Sequence, residues 1–219
     1  MTAGSVPAAM RIMLVDDHPI VRRGVTDILA AAFPQATIEQ VGSGGEAMAL
    51  ARNQEWDIII LDLTLPDGSG LDVLKRIREM QSRLPVLILS MHTADQFARR
   101  AIAAGASGYL TKDTADEELV VAVTRLIRGG KYFGPEVLEH VVIGLHPDRD
   151  ERPHERLSDR EYQVLRMIGS GKTVSEIAAE LALSVKTIST YRARVLEKMD
   201  MRTNAELTHY VVRHGLLDN

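Results

Sequence analysis

Short apolar runs alternate with amphipathic stretches about five times across the first ~120 residues, and no other feature restricts the fold of this chain as strongly. Arg11–Val15, Thr37–Val41, Ile58–Leu61, Val86–Leu89 and Gly108–Leu110 are strand-sized and apolar nearly throughout, the pattern of strands covered on both faces. Between them, Val21, Val25, Ile28 and Leu29 stand at i, i+4, i+7 and i+8, and Leu119, Val123, Leu126 and Ile127 follow a similar spacing, each set marking one apolar helix face. Strands and helices in this order predict right-handed crossovers and a single α/β domain, a five-stranded parallel sheet with helices on both sides.

The chain is longer than such a domain needs. Of its 219 residues, 45% are apolar and 26% charged, enough to give two small domains a core each and to exclude disorder over most of the length. Residues 1–153 carry 16 Lys+Arg against 21 Asp+Glu, a net −5, whereas residues 154–219 carry 10 against 9, a net +1. Between the halves, 144–156 holds two prolines, many charges and one leucine, a solvated linker. The expected organisation is a disordered tail at 1–9, an α/β domain at 10–128, a linker with a short helix over Pro135–Ile143 at 129–156, and a helical domain at 157–219.

With no cysteine, disulfides, thiol catalysis and cysteine zinc sites are excluded. The overall charge of −4 leaves no dominant polybasic tail, so any nucleic-acid surface must be local. No basic residue precedes Arg11, as a secretory signal requires, and the longest apolar runs are too short to span a bilayer. The expected placement is the cytoplasm, with no membrane partner.

Polar residues stand where a plain core would not need them. Asp16 and Asp17 end the first strand, Asp62 the third, Ser90 the fourth, and Thr111 and Lys112 the fifth. The carboxyl ends of parallel strands line the crevice where ligands bind, so three carboxylates, a hydroxyl and an ammonium should converge there. Crowded carboxylates repel unless they share a cation, and all-oxygen ligands suit Mg2+ or Mn2+. Beside such a cation one carboxylate can attack phosphorus while Lys112 and Ser90 bind the transferred oxygens. Asp62, alone on a central strand, is the candidate nucleophile; Asp16 and Asp17 suit the metal, with the Thr64 carbonyl within reach.

At these residues the chain resembles the receiver domain of two-component response regulators. The match covers about residues 10–128: Asp16-Asp17, Asp62 followed by Leu-Thr-Leu-Pro-Asp-Gly-Ser-Gly, Ser90, the run Ala104-Gly-Ala-Ser-Gly-Tyr109, and Lys112. The resemblance implies a flavodoxin-like strand order 2-1-3-4-5 and a phosphoryl group accepted on Asp62 from the histidine of a sensor kinase. It further implies Mg2+ (or Mn2+) held by Asp16, Asp17, Asp62 and the Thr64 carbonyl, and a switch at Ser90 and Tyr109. Asp113 follows the lysine where many receivers have proline. By the bland reading His18 is a first-turn helix residue, and Thr64 and Ser69 are turn formers.

The C-terminal half is marked by helix starts. Ser158-Asp-Arg-Glu161, Thr173-Val-Ser-Glu176 and Thr203-Asn-Ala-Glu206 each match the capping box, and Ser184 is a fourth cap, opening Val185–Met199. The second and third helices are separated only by Ala182-Leu183-Ser184, the spacing of a helix-turn-helix. The third helix buries Ile188, Val195 and Met199 and carries four basic residues against Glu197. These residues resemble the LuxR-type DNA-binding domain, through Leu157-Ser-Asp-Arg-Glu161, Glu176-Ile-Ala178, Ser184-Val-Lys-Thr-Ile188 and Lys198-Met199. Tyr191 stands where histidine is frequent and Ser189 where lysine is. Ser189, Thr190 and Ala193 are assigned to base edges, and Lys186, Thr187, Arg192, Arg194 and Lys198 to the DNA backbone.

Together the halves resemble a NarL/FixJ-family response regulator. The resemblance implies a transcription regulator that catalyses only its own phosphotransfer and dephosphorylation, with a sensor histidine kinase and double-stranded promoter DNA as partners and RNA polymerase as a candidate further one. Phosphorylation is expected to favour a homodimer, for which Leu207, Tyr210 and Val211 offer either a contact or the domain's own core. Two rivals stay open on the residues alone. One is a metal-dependent phosphohydrolase, which usually needs a second acid where Thr64 stands; the other is a binding module regulated without phosphate.

Overall fold

The computed structural model describes residues 10–91, 94–134, 137, 152–181 and 183–217. The chain divides into two compact units, Met1–His146 and Pro147–Asn219. The tail expected at 1–9 and nearly all of the helix expected over Pro135–Ile143 lie outside the described residues.

The first unit is a parallel sheet between two helical layers. Its strands are β1 (Arg11–Val15), β2 (Thr37–Val41), β3 (Ile58–Leu61), β6 (Val86–Ser90), β7 (Gly108–Thr111) and β8 (Tyr132–Phe133), in the order β2-β1-β3-β6-β7-β8. All five neighbouring pairs are parallel. The expected order 2-1-3-4-5 is present, but the sheet has six strands rather than five. The sixth, pairing Tyr132 with Gly108 and Phe133 with Tyr109, falls in the stretch read as linker. Two residues are too few to register a strand pattern; the pairing is held by tertiary contacts, including a 2.9 Å hydrogen bond from the Tyr132 hydroxyl to Glu118. A two-residue hairpin, β4 (Thr64–Leu65) with β5 (Gly68–Ser69), follows β3.

The helices are α1 (Pro19–Ala32), α2 (Gly44–Asn53), α3 (Gly70–Met80), α4 (Ala94–Ala103) and α5 (Ala115–Ile127). One side of the sheet closes over Ile12, Leu14, Ile58, Ile60 and Leu87, with Val25 and Leu29 of α1 and Leu119, Val123 and Leu126 of α5. Every residue of β3 is fully buried, as its unbroken apolar run requires.

The second unit holds α6 (Asp159–Gly169), α7 (Val174–Glu180), α8 (Val185–Lys198) and α9 (Asn204–Arg213). Capping boxes at Ser158, Thr173 and Thr203 open α6, α7 and α9, and the Ser184 hydroxyl accepts the Thr187 amide at the start of α8. Leu207, Tyr210 and Val211 are buried within this unit, so they complete its own core and are not free to form a dimer contact. The unit starts before residue 157: His154, in a 3-10 turn over Pro153–Arg156, is buried with its Nδ1 2.7 Å from the Tyr210 hydroxyl.

Candidate functional site

The carboxyl ends of β1, β3, β6 and β7 bring the acids and the lysine together. Asp16 is 1% exposed and Asp62 2%, and one ligand atom from each of Asp16, Asp17, His18 and Asp62 lies within 4.8 Å of the others. Lys112 Nζ reaches across the cluster, 2.8 Å from Asp62 Oδ2 and 2.6 Å from Asp16 Oδ2. It is placed by the end of β7, where a 3-10 turn over Lys112–Thr114 leads into α5. Ser90, the last residue of β6, is fully buried, and Tyr109 on β7 is 1% exposed. Asp113 is exposed to solvent.

The loop after Asp62 is built to hold it. The Thr64 amide donates to Asp62 Oδ1 at 3.2 Å. Gly70 opens α3 so close to the strand that a Cβ there would sit 2.0 Å from the Asp62 carbonyl oxygen, so only glycine fits. Asp67, at the hairpin tip, accepts the Gly44 and Gly45 amides at 2.8 and 2.7 Å and ties this loop to the start of α2.

The electrostatics are those of a site short of positive charge. Burial pushes the Asp62 carboxyl up from 3.8 to about 6, with Lys112 opposing the rise and Asp16 adding to it. Burial alone would lower the Lys112 ammonium, but Asp62 and Asp16 outweigh it and hold the group above its ordinary value. Asp16 Oδ2 and Asp17 Oδ1 are buried without a hydrogen bond of ordinary geometry, despite Lys112 Nζ at 2.6 Å and His18 Nδ1 at 2.5 Å. Buried acceptors with unspent capacity, all hard oxygens, are a donor set that fits a divalent cation.

Two members of this neighbourhood are not legible in the sequence. His18 is the N-cap residue of α1 rather than a first-turn residue; its amide donates to Asp16 Oδ1 at 2.7 Å and its ring leans on Asp17. Arg22, one turn into α1, donates to the Asp16 carbonyl at 2.5 Å. The histidine's closeness to the aspartates in the sequence was the available signal.

In the second unit α8 presents Lys186, Ser189, Thr190, Ala193 and Arg194 to solvent, with Thr187 half-buried at its first turn. A groove of about 320 Å3 runs between Lys186, Thr187, Thr190, Tyr191 and Arg194, which adds Tyr191 to the expected set. Ser189 and Thr190 return their hydroxyls to the Val185 and Lys186 carbonyls at 2.8 and 3.0 Å. Arg192 and Lys198 are engaged within the domain, Arg192 Nε with Asn204 Oδ1 at 2.5 Å and Lys198 Nζ with Glu161 Oε2 at 2.6 Å.

A parallel α/β domain with an acid-and-lysine cluster at its strand ends, joined to a helix-turn-helix, defines a two-domain DNA-binding regulator. The comparisons with known proteins agree. The model of the response regulator receiver domain matches residues 12–124, and that of the bacterial regulatory proteins, luxR family, matches residues 155–211. The chain is 32% identical to response regulator GacA of Pseudomonas aeruginosa over 95% of its length and 98% of the relative's. It is also 32% identical to response regulator UvrY of Escherichia coli K12, over 94% and 95%. A solved two-component response regulator of the LuxR family from Aurantimonas sp. SI85-9A1 is 36% identical, with a TM-score of 0.58 over 62% of this chain and 97% of that one. The chain therefore belongs to the NarL/FixJ family of response regulators, DNA-binding regulators of transcription. Among the described residues no helix is long and apolar enough to cross a membrane.

Proposed function

We propose that this regulator accepts a phosphoryl group on Asp62 from the phosphohistidine of a sensor kinase, and that the modification controls dimerisation and promoter binding. The observation that carries this reading is the buried cluster itself, with Lys112 Nζ 2.8 Å from Asp62 Oδ2. An Asp62 oxygen attacks phosphorus as the phosphorus–nitrogen bond breaks, and the electron pair leaves with the histidine ring. Mg2+ or Mn2+, held by Asp16, Asp17, Asp62 and the Thr64 carbonyl, would neutralise charge on the phosphoryl oxygens. Lys112 exchanges part of its pairing with Asp62 for the incoming oxygens, and Ser90 takes another. Tyr109 and Ser90, both buried on adjacent strands, shift together and carry the change to the outer face of the sheet. The catalytic work is confined to this transfer and to hydrolysis of the Asp62 acyl phosphate, in which water attacks phosphorus and the carboxylate leaves as inorganic phosphate forms.

The helical unit reads operator DNA with α8 in the major groove, Ser189, Thr190 and Ala193 toward base edges and Lys186, Thr187 and Arg194 toward phosphates. Arg192 and Lys198, read from sequence as backbone contacts, serve this surface from within the domain. RNA polymerase is the partner such a regulator would address at a promoter.

The test uses the full chain with acetyl phosphate and Mg2+. Wild type gains the mass of one phosphoryl group and Asp62→Asn gains none. Beryllofluoride then tightens binding to DNA carrying two half-sites. Unlabelled wild type, or equal affinity with and without beryllofluoride, overturns the reading.

A further inference from the structure

At the opposite end of the sheet from the acid cluster, where β3, β6, β7 and β8 begin, a cleft of about 520 Å3 is lined by Arg78, Arg83 and Lys131 with Ser107 and Gly130 between them. Arg78 is half-buried and fixed by neutral acceptors only. Its Nε donates to the Gly105 carbonyl at 2.7 Å, Nη1 to those of Leu84 and Ser82 at 2.5 and 3.2 Å, and Nη2 to the Ser107 hydroxyl at 3.1 Å. Lys131 Nζ donates to the Ala106 carbonyl at 3.1 Å. Among the described residues no carboxylate is within ion-pair distance of Arg78, Arg83 or Lys131. The one acid in the lining, Asp57, accepts the Arg11 amide at 2.8 Å.

Three cations share one cleft with a single carboxylate. A partly buried guanidinium is costly without a counter-charge, and here a second cation stands beside it. Burial first and the Arg78 charge second pull the Lys131 ammonium below its ordinary range, as expected of like charges held together. The carbonyls at the ends of α3 and α4 orient the two groups but carry only partial charge. Gly105, at φ 94°, is packed against the Arg78 side chain, where a Cβ would lie 3.1 Å from Nε, so the backbone there closes directly on the arginine. An immobilised cation with an uncompensated neighbour in an open cleft is a preorganised anion receptor.

We propose that this cleft binds a small phosphate-bearing anion, with Arg78 as the fixed anchor and Lys131 and Arg83 closing on it from the rim. It lies at the amino ends of the strands, whereas the cluster of Asp16, Asp62 and Lys112 lies at their carboxyl ends, so an anion bound here is a separate input to the same domain. The proposal is independent of phosphoryl transfer to Asp62.

The experiment is a titration of the full chain with inorganic pyrophosphate, followed by amide chemical shifts at constant ionic strength. Saturable shifts at Gly105, Ser107, Gly129 and Gly130 are expected. The double variant Arg83→Ala with Lys131→Ala removes two rim charges without touching the core and weakens binding by about tenfold or more. Arg23→Ala, which removes an exposed cation from α1 near the carboxyl ends of the strands, leaves these shifts unchanged. The proposal is overturned if the shifts do not saturate, if they occur only at Lys112 or along α8, or if the double variant binds pyrophosphate as wild type does.

Discussion

Lys198 Nζ, at the last turn of α8, lies 2.6 Å from Glu161 Oε2 in the capping box of α6. The same Glu161 oxygen accepts the Ser158 amide at 2.7 Å, so one buried carboxylate closes the start of α6 and fixes the end of the helix assigned to the DNA groove. Lys198 therefore ties the end of α8 to the start of α6.

Lys198→Met is expected to weaken operator binding and to lower the stability of the helical unit by about 1–2 kcal/mol, because it strips a charged partner from a buried carboxylate. The salt dependence distinguishes its role. A residue that contacts phosphate contributes about one unit to the slope of log affinity against log salt. Lys198→Met should leave that slope unchanged, while Arg194→Ala should reduce it by about one. A reduced slope for Lys198→Met would return it to the DNA backbone.

Acid should loosen the same contact. Burial alone would raise the Glu161 carboxyl, but Lys198 and Ser158 together outweigh it and hold the group below its ordinary value of 4.5. A carboxyl depressed on folding contributes stability that is fully present above 4.5 and lost as pH falls through its lower folded value. Urea unfolding of the helical unit followed between pH 6 and pH 3 should show that loss, and Glu161→Gln should flatten it.

In the receiver, removing Lys112 leaves three carboxylates crowded without a cation. In a chelator, Lys112→Met should destabilise the α/β unit by about 3–5 kcal/mol, the cost of an uncompensated buried charge. Asp62→Asn should act in the opposite direction, raising stability by about 1–3 kcal/mol, since it removes a carboxyl that burial and Asp16 disfavour. Equal unfolding midpoints for the two variants would contradict the charge balance drawn for this site.

Gly70→Ala tests the loop. A Cβ 2.0 Å from the Asp62 carbonyl oxygen cannot be accommodated unless the backbone moves. A loss of about 2–4 kcal/mol is expected, together with loss of acetyl phosphate labelling even where the protein folds. Calorimetry and the labelling assay read the two effects.

Five strands, the capped helix starts and the strand-end acids could be read from the residues because each rests on a local rule. An unbroken apolar run such as Ile58–Leu61 needs cover on both faces, and a serine three residues before a glutamate satisfies the free amides of a helix start wherever it occurs. Tyr132–Phe133 could not be read, since two residues carry no period and their pairing depends on the edge offered by β7. The pairing of Lys198 with Glu161 could not be read either, because the two residues stand 37 positions apart.

By itself the amino-acid sequence determined the layered α/β domain, the helical domain after it, and the residue types gathered at the strand ends, because hydrophobic periodicity and capping act over a few residues. Tertiary structure alone decided which charges pair. It set Lys112 between Asp16 and Asp62, drew His18 onto Asp17, paired Lys198 with Glu161, and left Arg78 and Lys131 in one cleft with no ion-pair partner among the described residues. Electrostatic energy depends on distance and burial, and neither is written along the chain.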